Sequence, residues 1–167
     1  MLDHYITQRL SLDSVSAHHL DFIFELVNTP EWVRFIGNRN VTDKQEARYY
    51  IQKIIDNPHI FYWVVSLKED QVPLGIVTFI KREYFEHFDL GFAFLKRFTG
   101  KGYAYEAAKT ILGQALEDPK HSRILATTLE DNHHSIALLK KLNFGFEKKI
   151  HEEDEELLMY AIDKPGQ

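Results

Sequence analysis

The stretch that most constrains this chain runs from Asp89 to Ala108, DLGFAFLKRFTGKGYAYEAA. Its first part, Leu90 to Leu95, is apolar and aromatic and reads as a buried strand. Its last part continues into YAYEAAKTILGQAL, where Tyr103, Ala107, Ile111 and Ala115 fall on one helical face. Lys96, Arg97, Phe98, Thr99, Gly100, Lys101 and Gly102 lie between them. A strand feeding a basic, glycine-bearing loop that opens directly into a helix presents unpaired backbone N–H groups and the positive end of a helix dipole. That arrangement suits an anion, phosphate foremost. A side chain at Gly100 or Gly102 would hold a phosphate away from those N–H groups. Two familiar nucleotide-binding spellings are excluded: Tyr105 stands where a dinucleotide fingerprint has its third glycine, and no G-x-x-x-x-G-K-[ST] occurs.

The remaining segments read as a layered α/β arrangement around that stretch. Tyr5 to Leu12 alternates as a first strand, and His18 to Val27 is an amphipathic helix with Leu20, Ile23, Phe24 and Val27 as its core face. Pro30 breaks that helix, and EWVRFIG adds a short turn capped by Gly37. Thr42 with Gln45 predicts a capping box for DKQEARYYIQKIIDN, which Asn57 and Pro58 terminate. Ile60 to Lys68 and VPLGIVTFIK are strands joined by the turn Glu69 to Gln71, and another antiparallel strand is expected from Tyr84 to Leu95. After the helix closes near Asp118 and Pro119, Ser122 to Leu129 is a strand expected to lie parallel to its predecessor. Asp131 or Asn132 caps the helix HHSIALLKKL, and Asn143 stands at a left-handed C-cap. Phe146 to Glu153 and Glu156 to Ile162 predict a closing hairpin.

Composition narrows the function classes. With 167 residues, 44% of them hydrophobic, the chain reads as one domain over 1–167 able to bury roughly 70% of its unfolded surface. No apolar run reaches membrane-spanning length and no basic start precedes an apolar core, so no membrane partner and a cytoplasmic location are expected. The absence of cysteine excludes disulfides, thiolate metal sites and a cysteine nucleophile. A net charge of −5 argues against nucleic acid as a partner and is compatible with cationic substrates. Neither His18 with His19 nor His133 with His134 can chelate a metal through adjacent side chains, because neighbours on a helix diverge by about 100°. No metal is expected. The acidic run His151 to Glu156 is simplest as a solvated hairpin tip, with a lure for an amine as the sharper alternative.

Arg97, Gly100 and Gly102, followed by Tyr103 and Ala104, resemble the R-x-x-G-x-G pyrophosphate motif of the GNAT N-acetyltransferase superfamily. EDNHHSIALLKKLNFGFEK is similar to that family's second signature, an asparagine-led helix ending in a G-F-type turn. TQRLSLDSVS resembles the opening of the ribosomal-protein N-acetyltransferase branch, the RimJ/RimL-like group. The resemblance implies a GNAT-type fold, with a central mixed, mostly antiparallel sheet of about seven strands flanked by helices. It implies acetyl-CoA as cosubstrate, an amine-bearing acceptor such as a peptide N-terminus or a small molecule, and a monomer or homodimer. Phe94 and Leu95 would then lend backbone groups to the pantetheine arm. The run Arg97, Phe98, Thr99, Gly100, Lys101, Gly102, Tyr103 and Ala104 would wrap the pyrophosphate, with Lys96, Arg97 and Lys101 supplying positive charge.

Direct transfer of acetyl to an amine needs a neutral nucleophile, a polarised carbonyl and a proton for the departing thiolate. Asp89 falls where the family carries a base, one methylene shorter than glutamate, so a water relay is favoured over direct abstraction. Its structural alternative is a hydrogen-bonded carboxylate at the strand's start, and Glu83 and Glu86 are substitutes on the same segment. The family's tyrosine acid, seven residues after the motif asparagine, is here Leu139; Ser135 is the hydroxyl offered instead, with Asn132 orienting cofactor or amine. Capping accounts for Asn132 and Ser135 equally well. A CoA-sensing module that has lost efficient catalysis is the competing function, and acetyl transfer to a polyamine, amino sugar or antibiotic is the competing acceptor class. Pro30 to Asn40 and the final hairpin are the segments expected to select the acceptor.

Overall fold

In the computed structural model, which describes residues 1–152 and 154–166, the alternating run that opens the chain folds back on itself. Thr7 is responsible. Its hydroxyl accepts the Leu10 N–H at 3.0 Å, while its own N–H donates to the Leu10 carbonyl at 2.9 Å. What reads as one strand is therefore a hairpin of β1 (His4–Ile6) and β2 (Leu10–Ser14), and the sheet gains an eighth strand.

The other strands are β3 (Ile60–Leu67), β4 (Pro73–Ile80), β5 (Asp89–Phe94), β6 (Arg123–Thr128), β7 (Gly145–Glu152) and β8 (Glu155–Asp163). They lie in the order β1-β2-β3-β4-β5-β6-β8-β7, antiparallel throughout except for β5 beside β6. Glu153, the end of the expected β7 and part of the acidic run, lies outside the described residues. β5 is shorter at its start than expected. The residues before it form a loop in which the Phe85 N–H returns to the Arg82 carbonyl at 3.2 Å and the Lys81 ammonium caps the Phe85 carbonyl.

Alternation along the strands sends side chains to two cores. Trp63 and Val65 of β3, with Val77 and Phe79 of β4, join Ala107, Ile111 and Ala115 of α4 (Tyr103–Glu117) on one face. Leu139 of α5 (His133–Lys141) joins them there. Val64 and Ile76 face the other way, toward α1 (Leu20–Val27), α2 (Pro30–Phe35) and α3 (Lys44–Asp56).

Local chemistry sets the helix ends. Pro30 starts α2 at its first position, with the Thr29 hydroxyl accepting from Trp32 N–H, so it begins a helix as well as ending one. Asp43, not Thr42, caps α3 by accepting the Glu46 N–H at 2.8 Å, and the Glu46 carboxylate returns to Thr42. A turn of 3₁₀ helix (Ala17–His19) precedes α1, whose buried face is Phe22, Ile23, Leu26 and Val27; Leu20 and Phe24 are only half-buried. Asn132 caps α5, and Asn143 adopts φ +66° after it.

The helices of the second face stop short of β6, β8 and β7. There, among the described residues, Leu125, Met159 and Ala161 cluster with Phe85 and Ile150. An open groove of about 540 Å³ remains beside that cluster, lined by Tyr84, Phe85, Lys148, Ile150, His151, Glu152 and Met159.

Candidate functional site

The strands β5 and β6 are paired at one position only, Asp89 opposite Leu125, and separate beyond it. The sheet is thus split along β5 from Gly91 to Phe94, where, among the described residues, that edge has no pairing to β6. Both chains leave the open end of the split into loops that start helices, α4 after β5 and α5 after β6. A crevice outside the carboxyl ends of parallel strands is where open α/β sheets receive ligands.

On the β5 side, Lys96 to Phe98 form one 3₁₀ turn, and Gly100 and Gly102 follow at φ +77° and +79°. Two left-handed glycines so close together turn successive amides to one side, a concavity that fits an anion. Among the described residues, the N–H groups of Gly100, Lys101 and Gly102 have no hydrogen-bond acceptor within the protein. A Cβ built on Gly100 meets nothing within 4 Å, so only backbone conformation and the space above the loop call for glycine there. The geometry fits a pyrophosphate, with the amides of this loop and the first turn of α4 as its donors.

Several assigned side chains are engaged elsewhere. Arg97 donates to Glu25 of α1 at 2.6 Å and lies over the Phe98 ring, and Lys96 stands 3.8 Å from Glu31 of α2. Both cations therefore tie the loop to the helices instead of projecting over it. Both partners of each pair are more than 40% exposed, where an ion pair contributes about 0–1 kcal/mol and exchanges readily. Lys101 is exposed and, among the described residues, in no ion pair. The Thr99 hydroxyl turns back to the Lys96 carbonyl.

Leu95 differs from expectation. Its N–H donates to Leu74 and its carbonyl accepts from Phe98, each at 2.9 Å, and its side chain is core. It therefore has no free N–H to lend. Phe94 lies over β4, where a Cβ on Gly75 would meet its ring at 2.5 Å and the Ala93 carbonyl at 2.4 Å. Glycine at 75 is what lets β4 and β5 approach so closely.

At the closed end of the split, Asp89 points to the face opposite Leu90, beside the open groove. It is 3% exposed, and its carboxylate is held by the Arg82 guanidinium. Burial raises its pKa from the ordinary carboxylate value, against the opposing pull of Arg82. Arg82 also reaches the Tyr84 hydroxyl at 3.2 Å and lies 3.6 Å from Glu152, so one arginine joins the β4–β5 loop, β5 and the end of β7. Its own pKa is raised, the partners outweighing burial, so it stays cationic. The substitutes Glu83 and Glu86 are exposed on the loop. Five residues at about 3.3 Å separate Asp89 from Phe94, roughly 17 Å, so this carboxylate and the glycine loop stand at opposite ends of the split.

Across the split, the Asn132 amide oxygen accepts the Ser135 N–H at 3.2 Å, and among the described residues the amide nitrogen has no hydrogen-bond partner. Ser135 is half-buried in the first turn of α5. Leu139 is 1% exposed within the main core and offers no chemistry to the split. Arg34 of α2 bridges to Asp131 at 2.5 Å, linking the second-face helices to the α5 loop. On the same helix the Trp32 indole nitrogen is buried without a hydrogen-bond partner among the described residues.

Sequence reasoning missed a cluster beside the glycine loop. Glu106 accepts from the Thr7 hydroxyl at 2.6 Å, from Arg9 N–H at 2.9 Å and from Arg9 Nε at 2.7 Å. Arg9 Nη1 donates to the Lys101 carbonyl at 2.9 Å, and the guanidinium lies 4.5 Å from the centre of the Tyr103 ring. No local spacing connects residues 97 apart; the one trace in the sequence is the threonine-arginine opening already noted. Among the described residues, no helix is long and apolar enough to cross a membrane, and no group of three or more His, Asp or Glu could hold a metal.

A mixed sheet split at its one parallel pair, with two left-handed glycines in the loop at the mouth, defines an α/β protein with an open crevice between β5 and β6. The profile of the acetyltransferase (GNAT) domain matches residues 9–145, and the chain belongs to that family of acyltransferases. The N-acetyltransferase YnaD of Bacillus subtilis (strain 168), described as uncharacterized, is 28% identical over 151 residues, 87% of this chain and 86% of that one. A GNAT-family acetyltransferase from Bacillus anthracis shares the fold with a TM-score of 0.81 at 22% identity, covering 96% of this chain and 98% of its own. RimL, a ribosomal L7/L12 α-N-protein acetyltransferase solved with coenzyme A, superposes with a TM-score of 0.83 at 16% identity over 98% of both chains. The ribosomal-protein-S5-alanine acetyltransferase of Vibrio fischeri gives 0.82 at 16% identity, covering 98% of this chain and 97% of its own.

Proposed function

We propose that this protein is an acetyl-CoA-dependent N-acetyltransferase whose acceptor is a primary amine, with a protein or peptide N-terminal α-amine favoured. The observation that carries the reading is the amide cradle of Gly100 to Tyr103 at the mouth of the split sheet. Acetyl-CoA supplies an activated thioester; the net change breaks its C–S bond, forms a C–N bond and moves one amine proton to the leaving thiolate. In this reading the loop from Arg97 to Ala104 holds the pyrophosphate through its backbone. The unpaired edge of β5 through Phe94 receives the amide-bearing arm. The amine arrives from the groove at the other end of β5.

Asp89 is the group proposed to take the amine's proton. Its burial calls for a water between them, and a raised carboxyl pKa lies closer to the value that suits a general base. Ser135 is the hydroxyl proposed to pass a proton to the thiolate, with the Asn132 amide nitrogen orienting the ligand. The α-amine is favoured on energetic grounds. Its pKa of about 7.7–8.0 against about 10.4 for lysine makes deprotonation near neutral pH easier by roughly 3.5 kcal/mol. A short carboxylate without a phenolic acid suits the easier amine, and the likeness to RimL and to the S5-alanine enzyme supports the same choice.

A catalytically weak CoA-binding module is the second reading, favoured by the engagement of Asp89 with Arg82 and by the burial of Leu139. A thiol-release assay across N-terminal peptides, lysine peptides, polyamines and amino sugars separates the possibilities. Turnover on α-amines supports the first reading. Turnover only on polyamines or lysine side chains replaces the acceptor, and CoA binding without turnover on any amine selects the module.

A further inference from the structure

We infer that Arg9, carried on the β1–β2 hairpin and aimed by Glu106, is a phosphate-binding residue that closes the glycine loop from the side. The inference rests on the proposed acetyl-CoA site. Three contacts fix the guanidinium: Nε on the Glu106 carboxylate at 2.7 Å, Nη1 on the Lys101 carbonyl at 2.9 Å, and its face over Tyr103. These residues bracket Gly102 on both sides. The third nitrogen, Nη2, has no hydrogen-bond partner within the protein among the described residues. It lies 3.4 Å from the position a Cβ would take on Gly102. A planar guanidinium with two nitrogens committed to the protein presents the remaining one in a fixed direction, which is how arginine recognises phosphate.

Glu106 is the positioning residue. Its carboxylate is mostly buried and holds the hairpin's Thr7 hydroxyl and Arg9 N–H together with the guanidinium, so hairpin and loop move as one unit. This gives the site a fixed cation, whereas Lys96 and Arg97 are turned toward Glu31 and Glu25.

The test compares Arg9→Gln, Arg9→Lys, Glu106→Gln and, as a control, Arg48→Gln at an exposed arginine of α3. Coenzyme A affinity is measured by calorimetry. Turnover is measured with acetyl-CoA and with acetyl-pantetheine, which lacks the phosphates. Arg9→Gln is expected to weaken coenzyme A binding at least tenfold and to lower kcat/KM for acetyl-CoA at least fivefold more than for acetyl-pantetheine. Arg9→Lys, which keeps the charge and loses the fork, should fall between Arg9→Gln and the wild type, and so should Glu106→Gln. Arg48→Gln should match the wild type. Coenzyme A binding within twofold of wild type in folded Arg9→Gln would overturn the inference. Equal losses with the two donors would overturn it too, since they mark a general structural role. If Arg9→Gln does not fold, Arg9→Lys decides by the same ratio. Wild-type protein that binds no coenzyme A would remove the proposed function itself, an outcome distinct from either.

Discussion

Valine at position 102 separates the loop's two demands, backbone conformation and open space. Gly102 sits at φ +79°, ψ 5°, where an L-residue costs about 1–2 kcal/mol and a β-branched one lies at or beyond the upper end. For a domain of this size each kcal/mol moves Tm by about 2–4 °C, so ligand-free Gly102→Val should melt roughly 2–8 °C below wild type. The ligand effect is larger. Acetyl-CoA at a hundredfold excess over Kd adds about 2.7 kcal/mol, a rise of roughly 5–11 °C. A Cβ at this site is already 3.4 Å from Arg9 Nη2, so the valine methyls displace either that nitrogen or the phosphate. Losing two hydrogen bonds to a charged group, about 1.5–3 kcal/mol each, raises Kd about a hundredfold or more. At the same ligand concentration the rise then shrinks to about 1–2 °C. Thermal melts with and without acetyl-CoA, on protein checked by circular dichroism, read both numbers. A folded variant that keeps the full ligand-dependent rise would refute the assignment of these amides to phosphate.

The other predictions follow from single contacts. Gly113→Ala, in the interior of α4 with nothing within 4 Å of the new Cβ, should stabilise by about 0.5–1 kcal/mol in urea unfolding and leave acetyl-CoA affinity unchanged. Gly75→Ala should destabilise by about 1–3 kcal/mol or more, because its Cβ meets a backbone carbonyl at 2.4 Å that cannot swing away; a neutral effect in the same assay would show that β4 and β5 part easily. Asp89→Asn should lower kcat by about 10²–10⁴-fold with little change in coenzyme A affinity and should abolish the acidic limb of the kcat/KM profile, a limb expected above the ordinary carboxylate pKa because burial raises this group. Wild-type kcat at pH 7 in that variant would place the base elsewhere. Burial alone would raise the Glu106 pKa, but the hydrogen bonds from Thr7 and Arg9 outweigh it and lower the value. Its stabilisation is therefore complete above the unfolded value of about 4.3 and is lost as pH falls through the lower folded value. Urea unfolding should show Glu106→Gln less stable than wild type at pH 7 and the gap narrowing by pH 3.5.

What the sequence determined by itself is local. The left-handed Asn143, the cap left between Asp131 and Asn132, which the structure gives to Asn132, and the buried face of α4 at Ala107, Ile111 and Ala115 follow from spacings of a few residues, where propensity and hydrogen bonding act without distant help. The order of strands and helices followed too, apart from the Thr7 turn, because a side-chain hydroxyl can stand in for a ladder bond without disturbing the alternation around it. Tertiary structure alone decided which groups meet. The pairing of Arg82 with Asp89 depends on how an irregular loop folds over β5, and the diversion of Arg97 to Glu25 depends on where α1 comes to rest. Leu95 lost its free N–H to β4, and Arg9 found Glu106 across 97 residues once the first hairpin joined the sheet. A long polar side chain can satisfy itself with any partner within a few ångströms. Its choice is therefore set by the packing of the cores that bring the elements together, and the cores themselves are specified by hydrophobic pattern rather than by the polar residues they place side by side.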